Sequence, residues 1–296
     1  FNGCANLKSV TFEEGMTRIP NYLFWKCTGL EEVTIPDTIT EISSGVFSGC
    51  INLKTVNLSK NLEKLGSYAF SDCTSLTSVI LPEGLIGLYE GAFQKCTGLI
   101  EINIPASLTD TGYMGNNAYP GAFADCSSLD KITFGEGLLE IPSGLFSGCT
   151  GLKEITLPDS ITKIKWKAFG NCTNLDKINF SQNLKVIDSS AFVGCTALQE
   201  VRLPDSLEEM YQGAFQNCTS LSKVYIPASM QNTGYTASNK MYPGVFSGCS
   251  SLKEVEFGEG IKTIPQGLFY GCNGPLELEV PEGVTEIKYR ALASCS

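Results

Sequence analysis

Thirteen cysteines punctuate this 296-residue chain: Cys4, Cys27, Cys50, Cys73, Cys96, Cys126, Cys149, Cys172, Cys195, Cys218, Cys249, Cys272 and Cys295. A thiolate is both a nucleophile and a metal ligand, so such a set raises catalysis, disulfide bonding and metal binding together. The spacing argues against all three. Ten of the twelve intervals are 23 residues, and the other two are 30 and 31. A catalytic thiol is needed once. A disulfide framework is not laid out at a fixed interval, and the count is odd. No C-x-x-C pair occurs, and thiols stacked in a line do not make the tetrahedron that zinc takes.

The rest of the inventory points the same way. The chain has no histidine, which removes the commonest general base, the Ser-His and Cys-His nucleophile systems and the commonest zinc ligand. The two GEG stretches at 135–137 and 258–260 are turns after strands, not the G-x-G-x-x-G of a dinucleotide site. A net charge of −10 is opposite to what a phosphate-tracking surface needs. No run of 18 apolar residues is present. The sequence therefore predicts a protein that is not an enzyme, has no cofactor or metal, binds no nucleic acid and inserts no helix into a membrane.

The fixed interval is itself the strongest signal, because a period in the twenties marks a solenoid whose coils stack on one another. Each coil follows one template. After Cys149 come Leu152, Ile155, Leu157 and Pro158, then Ile161 and Ile164, then Ala168-Phe169, and Cys172 closes the coil. Ile155 and Leu157 have the period of a strand with one buried face, and the proline ends that strand. The apolar side chains of both long sides point inward. One coil cannot bury them alone, so neighbours must stack in register.

The pattern L-x-x-V/I-x-L/I-P…I-x-x-I-x-x-x-A-F-x-x-C resembles that of the BspA-like (treponemal-type) leucine-rich repeats, from Phe1 to Cys295. The resemblance implies an α/β-class solenoid, largely β, that winds as a right-handed superhelix of about 12 coils with a parallel sheet on its concave face. It implies one leucine-rich-repeat domain over 1–296, and a bacterial surface or secreted protein used in adhesion and protein interaction. The pattern is already in progress at Phe1, so the sequence reads as a segment of a longer array.

A phenylalanine precedes each cysteine by three residues at Phe1, Phe24, Phe47, Phe70, Phe93, Phe123, Phe146, Phe169, Phe192, Phe215, Phe246 and Phe269. Only the last coil departs, with Leu292. Stacking in register makes these rings an aromatic spine. The cysteines beside them, Cys50, Cys73, Cys149 and Cys172 among them, are expected as small buried hydrophobes that stay reduced. Stacked strands hold neighbouring Cβ atoms near 4.8 Å, farther than the roughly 3.8 Å a disulfide prefers.

A longer period runs beneath the short one. The stretch at 12–27 matches 134–149 and 257–272, and 81–96 matches 203–218. Five coils thus form a super-repeat, at about 4–126, 126–249 and, in part, 249–296. Each full copy carries one insertion, with Tyr113 and Tyr119 in the first and Tyr235 and Tyr242 in the second. Both are read as following the concave strand, on one edge about 24 Å apart by strand spacing. Tyr, Gly, Ser and Asn are the chemistry of binding loops. Two readings stand for these tyrosines: contact with a partner, or folding back to shield the edge of the coil.

Two outward columns should line the exposed face of the sheet. One alternates in sign from Glu101 through Lys131, Glu154, Lys177, Glu200 and Lys223 to Glu254, a cross-strand charge ladder. The other is mostly Thr and Asn until Arg202 and Tyr225, which are residue types favoured at interfaces and are read as lying beside the second insertion. Glu254, Glu256, Glu277 and Glu279 make an acidic end without a calcium-binding loop. The functional expectation is a recognition or adhesion module for a protein or glycan partner. The alternative is a passive spacer that displays another domain. Uncapped end coils would let the isolated segment associate end to end.

Overall fold

The computed structural model describes residues 1–13, 15–112, 120–234 and 243–295. It is a β-solenoid of about 23 residues per turn, with parallel sheets. No described residue lies in a helix. The chain divides into two compact units, residues 1–138 with 142–152, and residues 139–141 with 153–296.

In the first unit, one side of the coils carries the strands Glu32–Thr34, Thr55–Asn57, Ser78–Val79, Glu101–Ile104 and Lys131–Phe134. A second side carries two-residue strands, Arg18–Ile19, Glu41–Ile42, Lys64–Leu65 and Gly87–Leu88, with a bridge from Gly87 to Asp110. Pairing is parallel with a shift of one coil: Val33 faces Val56, and Ile42 faces Leu65. The second unit repeats the plan. Its first side holds Glu154–Thr156, Lys177–Asn179, Glu200–Arg202, Lys223–Ile226 and Glu254–Phe257. Its second side holds Glu140–Ile141, Lys163–Ile164, Val186–Ile187, Glu209–Met210, Thr263–Ile264 and Glu286–Ile287. The sequence template placed an apolar pair on this second side. The structure shows that the pair marks a second parallel sheet, too short per coil for alternation to reveal.

The F-x-x-C stretch forms a third side with its own hydrogen bonds. Tyr22, Phe24 and Lys26 donate their amides to the carbonyls of Ser44, Val46 and Ser48 one coil on. Every second residue faces the next coil because two residues per coil adopt left-handed backbone, at φ 57° for Tyr22 and 55° for Lys26. At the second of these positions Gly, Asn and Asp recur, as in Gly49, Asp72, Asn171 and Asn217, which are the types that tolerate this conformation best.

Inside, the phenylalanine rings stack face to face and offset. In the first unit successive centroids from Phe1 to Phe146 lie 5.1–5.7 Å apart. From Phe169 to Phe269 in the second they lie 5.0–5.5 Å apart. Phe47, Phe70, Phe146 and Phe169 are fully buried. Three further rings, Phe12, Phe134 and Phe180, meet the spine edge-on.

The cysteines do more than fill space. All thirteen are free, and the eleven from Cys27 to Cys272 are buried. Nine thiols among the described residues donate to the carbonyl of the phenylalanine one coil back. Examples are Cys73 Sγ to Phe47 O at 3.3 Å and Cys195 Sγ to Phe169 O at 3.1 Å. The same carbonyl also accepts the amide of its own coil's cysteine, as Phe47 O does from Cys50 N at 3.1 Å. A buried carbonyl has two lone pairs, and cysteine is small enough to fill the corner while reaching the second one. The thiols are buried and free as the sequence led one to expect, and the hydrogen bond to the phenylalanine carbonyl is a further role that residue type did not reveal.

Two outcomes follow. Phe192 is fully buried between two stacked neighbours. Phe192→Ala should cost about 3–5 kcal/mol in urea unfolding, against less for Phe192→Leu, the residue type the last coil carries at Leu292. Burial pushes the Cys50 and Cys149 thiols up to about 12 and raises Cys73, Cys96, Cys126 and Cys195 well above their ordinary 9.0. The folded state then keeps protons that the unfolded state loses. Stability is full below about pH 9 and falls above it, by about 1.4 kcal/mol per pH unit for each such thiol. Thermal unfolding under reducing conditions should show that steep alkaline decline, and Cys→Ala variants should flatten it.

Candidate functional site

The charge ladder forms in part, as separate Lys–Glu pairs within each unit, and Glu200 joins none of them. Lys131 Nζ lies 2.8 Å from Glu101, Lys177 2.7 Å from Glu154, and Lys223 2.6 Å from Glu256 and 3.6 Å from Glu254. These pairs are exposed, so they neutralise the face more than they stabilise the fold.

In the second unit the neighbouring column changes character. Arg202 and Tyr225 face each other across parallel strands, and the guanidinium carbon sits 4.0 Å from the centre of the tyrosine ring. The Tyr225 hydroxyl donates to Asp205 Oδ1 at 2.8 Å. Tyr225 thus stacks on a cation and hydrogen-bonds an anion. Partial burial, first, and the Asp205 carboxylate hold its hydroxyl above its ordinary 10.0. The hydrogen bond and charge of Lys223 hold the Glu256 carboxyl below its ordinary 4.5. A hollow of 220 Å³ opens beside the cluster, lined by Asn179, Phe180, Gln182, Arg202, Pro204 and Asp205.

Asp205 and Gln182 escaped the sequence reading. The available signal was the repeated Pro-Asp after the strand. Asp37 and Asp159 follow prolines in the same way, and each accepts a backbone amide one coil on, from Lys60 at 3.1 Å and Gln182 at 3.0 Å. Asp205 departs from that pattern and takes the Tyr225 hydroxyl instead of the backbone amide of Ala228 one coil on.

Tyr113, Tyr119, Tyr235 and Tyr242 lie outside the described residues. The stems of both insertions are described, and they match. Asp110 Oδ1 accepts the Gly112 amide at 2.8 Å, and Asn232 Oδ1 accepts that of Gly234 at 2.9 Å. Thr111 donates to Ser143 O, and Thr233 to Gln266 O. Gly112 and Gly234 have φ of 60° and 61°, and a side chain at either would strike the ring of Tyr89 or Tyr211. The stems begin just after Asp110 and Asn232, where the second side ends. This corrects the sequence placement, which had the insertions following the first-side strand and put Arg202 and Tyr225 beside one of them. The second-side segment intervenes, so the cluster and the stems occupy different parts of the coil.

In the first unit, Ile80 stands where the second unit has Arg202, and it is 79% exposed. Asn103, in the place of Tyr225, folds its amide onto the Leu81 backbone with two hydrogen bonds of 2.8 Å. Trp25 and Trp166 are partly buried under the lysines that follow them. A hollow of 690 Å³ at the first coil is lined by core residues such as Val10, Phe12 and Phe24, with Phe1 67% exposed. Among the described residues no three of His, Cys, Asp or Glu are grouped to hold a metal, and no helix is long and apolar enough to cross a membrane.

With the coil geometry in place, the comparisons with known proteins fit it. The family model described as BspA type leucine-rich repeat region matches residues 1–119, 116–242 and 238–296, and the chain belongs to this family. It is similar to a leucine-rich repeat protein from Bacteroides ovatus in a crystal structure, at 28% identity and TM-score 0.70, over 97% of this chain and 70% of that one. A leucine-rich repeat protein from Eubacterium ventriosum is 20% identical with TM-score 0.49, over 96% and 81%. One from Treponema pallidum is 22% identical with TM-score 0.44, over 63% and 74%. No curated protein matches the chain.

The cluster makes its own titration a test. Asp205→Asn should lower the Tyr225 hydroxyl titration followed by ultraviolet absorbance. Lys223→Ala should raise the Glu256 carboxyl midpoint in carbon NMR toward its ordinary 4.5. If neither moves, the contacts do not form in solution.

Proposed function

We propose that this chain is a non-enzymatic recognition module of a bacterial cell-surface or secreted protein, binding a protein or glycan partner through the exposed first side of its coils and the tyrosine-bearing insertions. Leucine-rich repeat proteins of this type are binding scaffolds. The observation that carries the reading is the Arg202–Tyr225–Asp205 cluster. Apart from the exposed Ile80, the rest of that face is mostly small, polar or ion-paired, which suits a scaffold. Here an aromatic ring, a cation and an anion stand together in the open, in residue types that dominate binding energy at interfaces. The surface and adhesion setting rests on the family. Tyr113, Tyr119, Tyr235 and Tyr242 are proposed as further contacts, since insertions in a solenoid emerge where partners reach them.

A second reading, a passive spacer, draws support from the exposed Lys–Glu ladder, which leaves much of the face electrically quiet. The two separate by experiment. The immobilised chain is exposed to bacterial and epithelial surface extracts, in its natural form, with Arg202 and Tyr225 changed to Ala, and with the four insertion tyrosines changed to Ser. Recognition predicts saturable capture that falls at least about tenfold in one or both variants. Absent capture supports the spacer, and capture equal for all three chains overturns the assignment of binding to these residues.

A further inference from the structure

The hollow beside the cluster has a chemistry more specific than a general protein-binding patch. Resting on the recognition reading above, we infer that the 220 Å³ hollow bounded by Gln182, Arg202 and Asp205 is a subsite for a single neutral pyranose of a glycan.

The argument begins with what the coil pattern would ordinarily do with these groups. Asp37 is occupied twice, by the Lys60 amide and by the Lys60 ammonium at 2.6 Å. Asp159 is occupied by the Gln182 amide. Asp205, the third of the series, caps no backbone. One of its oxygens takes the Tyr225 hydroxyl, and the other has no hydrogen-bond partner among the described residues. The Arg202 guanidinium lies over the face of Tyr225 and within electrostatic reach of the Glu256 carboxylate, and among the described residues neither it nor the side-chain amide of Gln182 has a hydrogen-bond partner. Arg202 and Asp205 are three residues apart with opposite charges, and Tyr225 contacts both.

The result is a planar acceptor, a planar donor fork and an amide that is both, around one small hollow. Phe180 and Pro204, both largely buried, close the apolar side of the hollow. A pyranose presents adjacent hydroxyls, each a donor and an acceptor, on a ring with apolar C–H surface. A carboxylate accepts from two such hydroxyls while a guanidinium and an amide donate to their oxygens. A large apolar ligand would leave all three polar groups unpaired, which is costly. A single anion would meet Asp205, and a single cation would meet Arg202. Tyr225 acts as a positioning residue that fixes both charged groups.

The test is saturation-transfer NMR on the whole chain with the methyl glycosides of glucose, galactose, mannose and N-acetylglucosamine, and glycylglycine as a zwitterionic probe. At least one glycoside should receive transfer, with a Kd around 1 mM. Asp205→Asn keeps an acceptor for Tyr225 but loses the carboxylate, and Arg202→Ala removes the fork. Each should weaken binding about tenfold or more at unchanged thermal unfolding, while Lys54→Ala, in the other unit, should change nothing. No transfer to any glycoside, equal transfer in all variants, or preferential binding of glycylglycine would overturn the sugar assignment. Capture from surface extracts that still depends on Arg202 and Tyr225 would then leave the recognition reading standing.

Discussion

One interaction governs this molecule: the register of one coil on the next, fixed at the phenylalanine carbonyl. That oxygen accepts an amide from its own coil and a thiol from the following one. A slip by one residue would break both bonds, misplace the ring and turn the apolar strand residues outward. The left-handed backbone of the third side, the two parallel sheets and the aromatic stack all hold the same spacing. No coil buries its apolar side chains alone, so contacts between stacked neighbours complete the core.

The surface inherits its logic from that spacing. Residues one coil apart become neighbours, so the sequence writes its surface in columns. Opposite charges at successive positions of one column become Lys–Glu contacts, and small polar residues in another become an unremarkable face. A departure in a column is therefore conspicuous in space. Arg202 and Tyr225, with the Asp205 that Tyr225 holds, are such a departure, and the corresponding positions in the first unit carry Ile80 and Asn103.

Much of the fold was legible because a solenoid turns three-dimensional adjacency into a fixed interval. The rings, the buried thiols, the first-side strands and the ladder pairs were all readable from positions one coil apart, 23 residues or, across an insertion, 30 or 31. The second sheet was not, since two residues per coil are too few to show a strand's alternation. The thiol–carbonyl bond was hidden because residue type alone does not say which lone pair a buried sulfur reaches. Asp205 was missed because a Pro-Asp after a strand is ordinarily a cap, and only the side chain of the next coil, Tyr225 rather than an amide, reveals its different use. The insertions were placed on the wrong side of the coil for a related reason. Asp110 and Asn232 each make a single bridge, too faint a trace of the second sheet to count residues from.

The most direct measurement of the central claim is the S–H stretching band in Raman spectra of the native, reduced protein. The account predicts a dominant band displaced to the low frequency of a hydrogen-bonded thiol, resistant to exchange in deuterated water and abolished on unfolding. A band at the position of a free, rapidly exchanging thiol, or no S–H band because the sulfurs are oxidised or bound to metal, would contradict it.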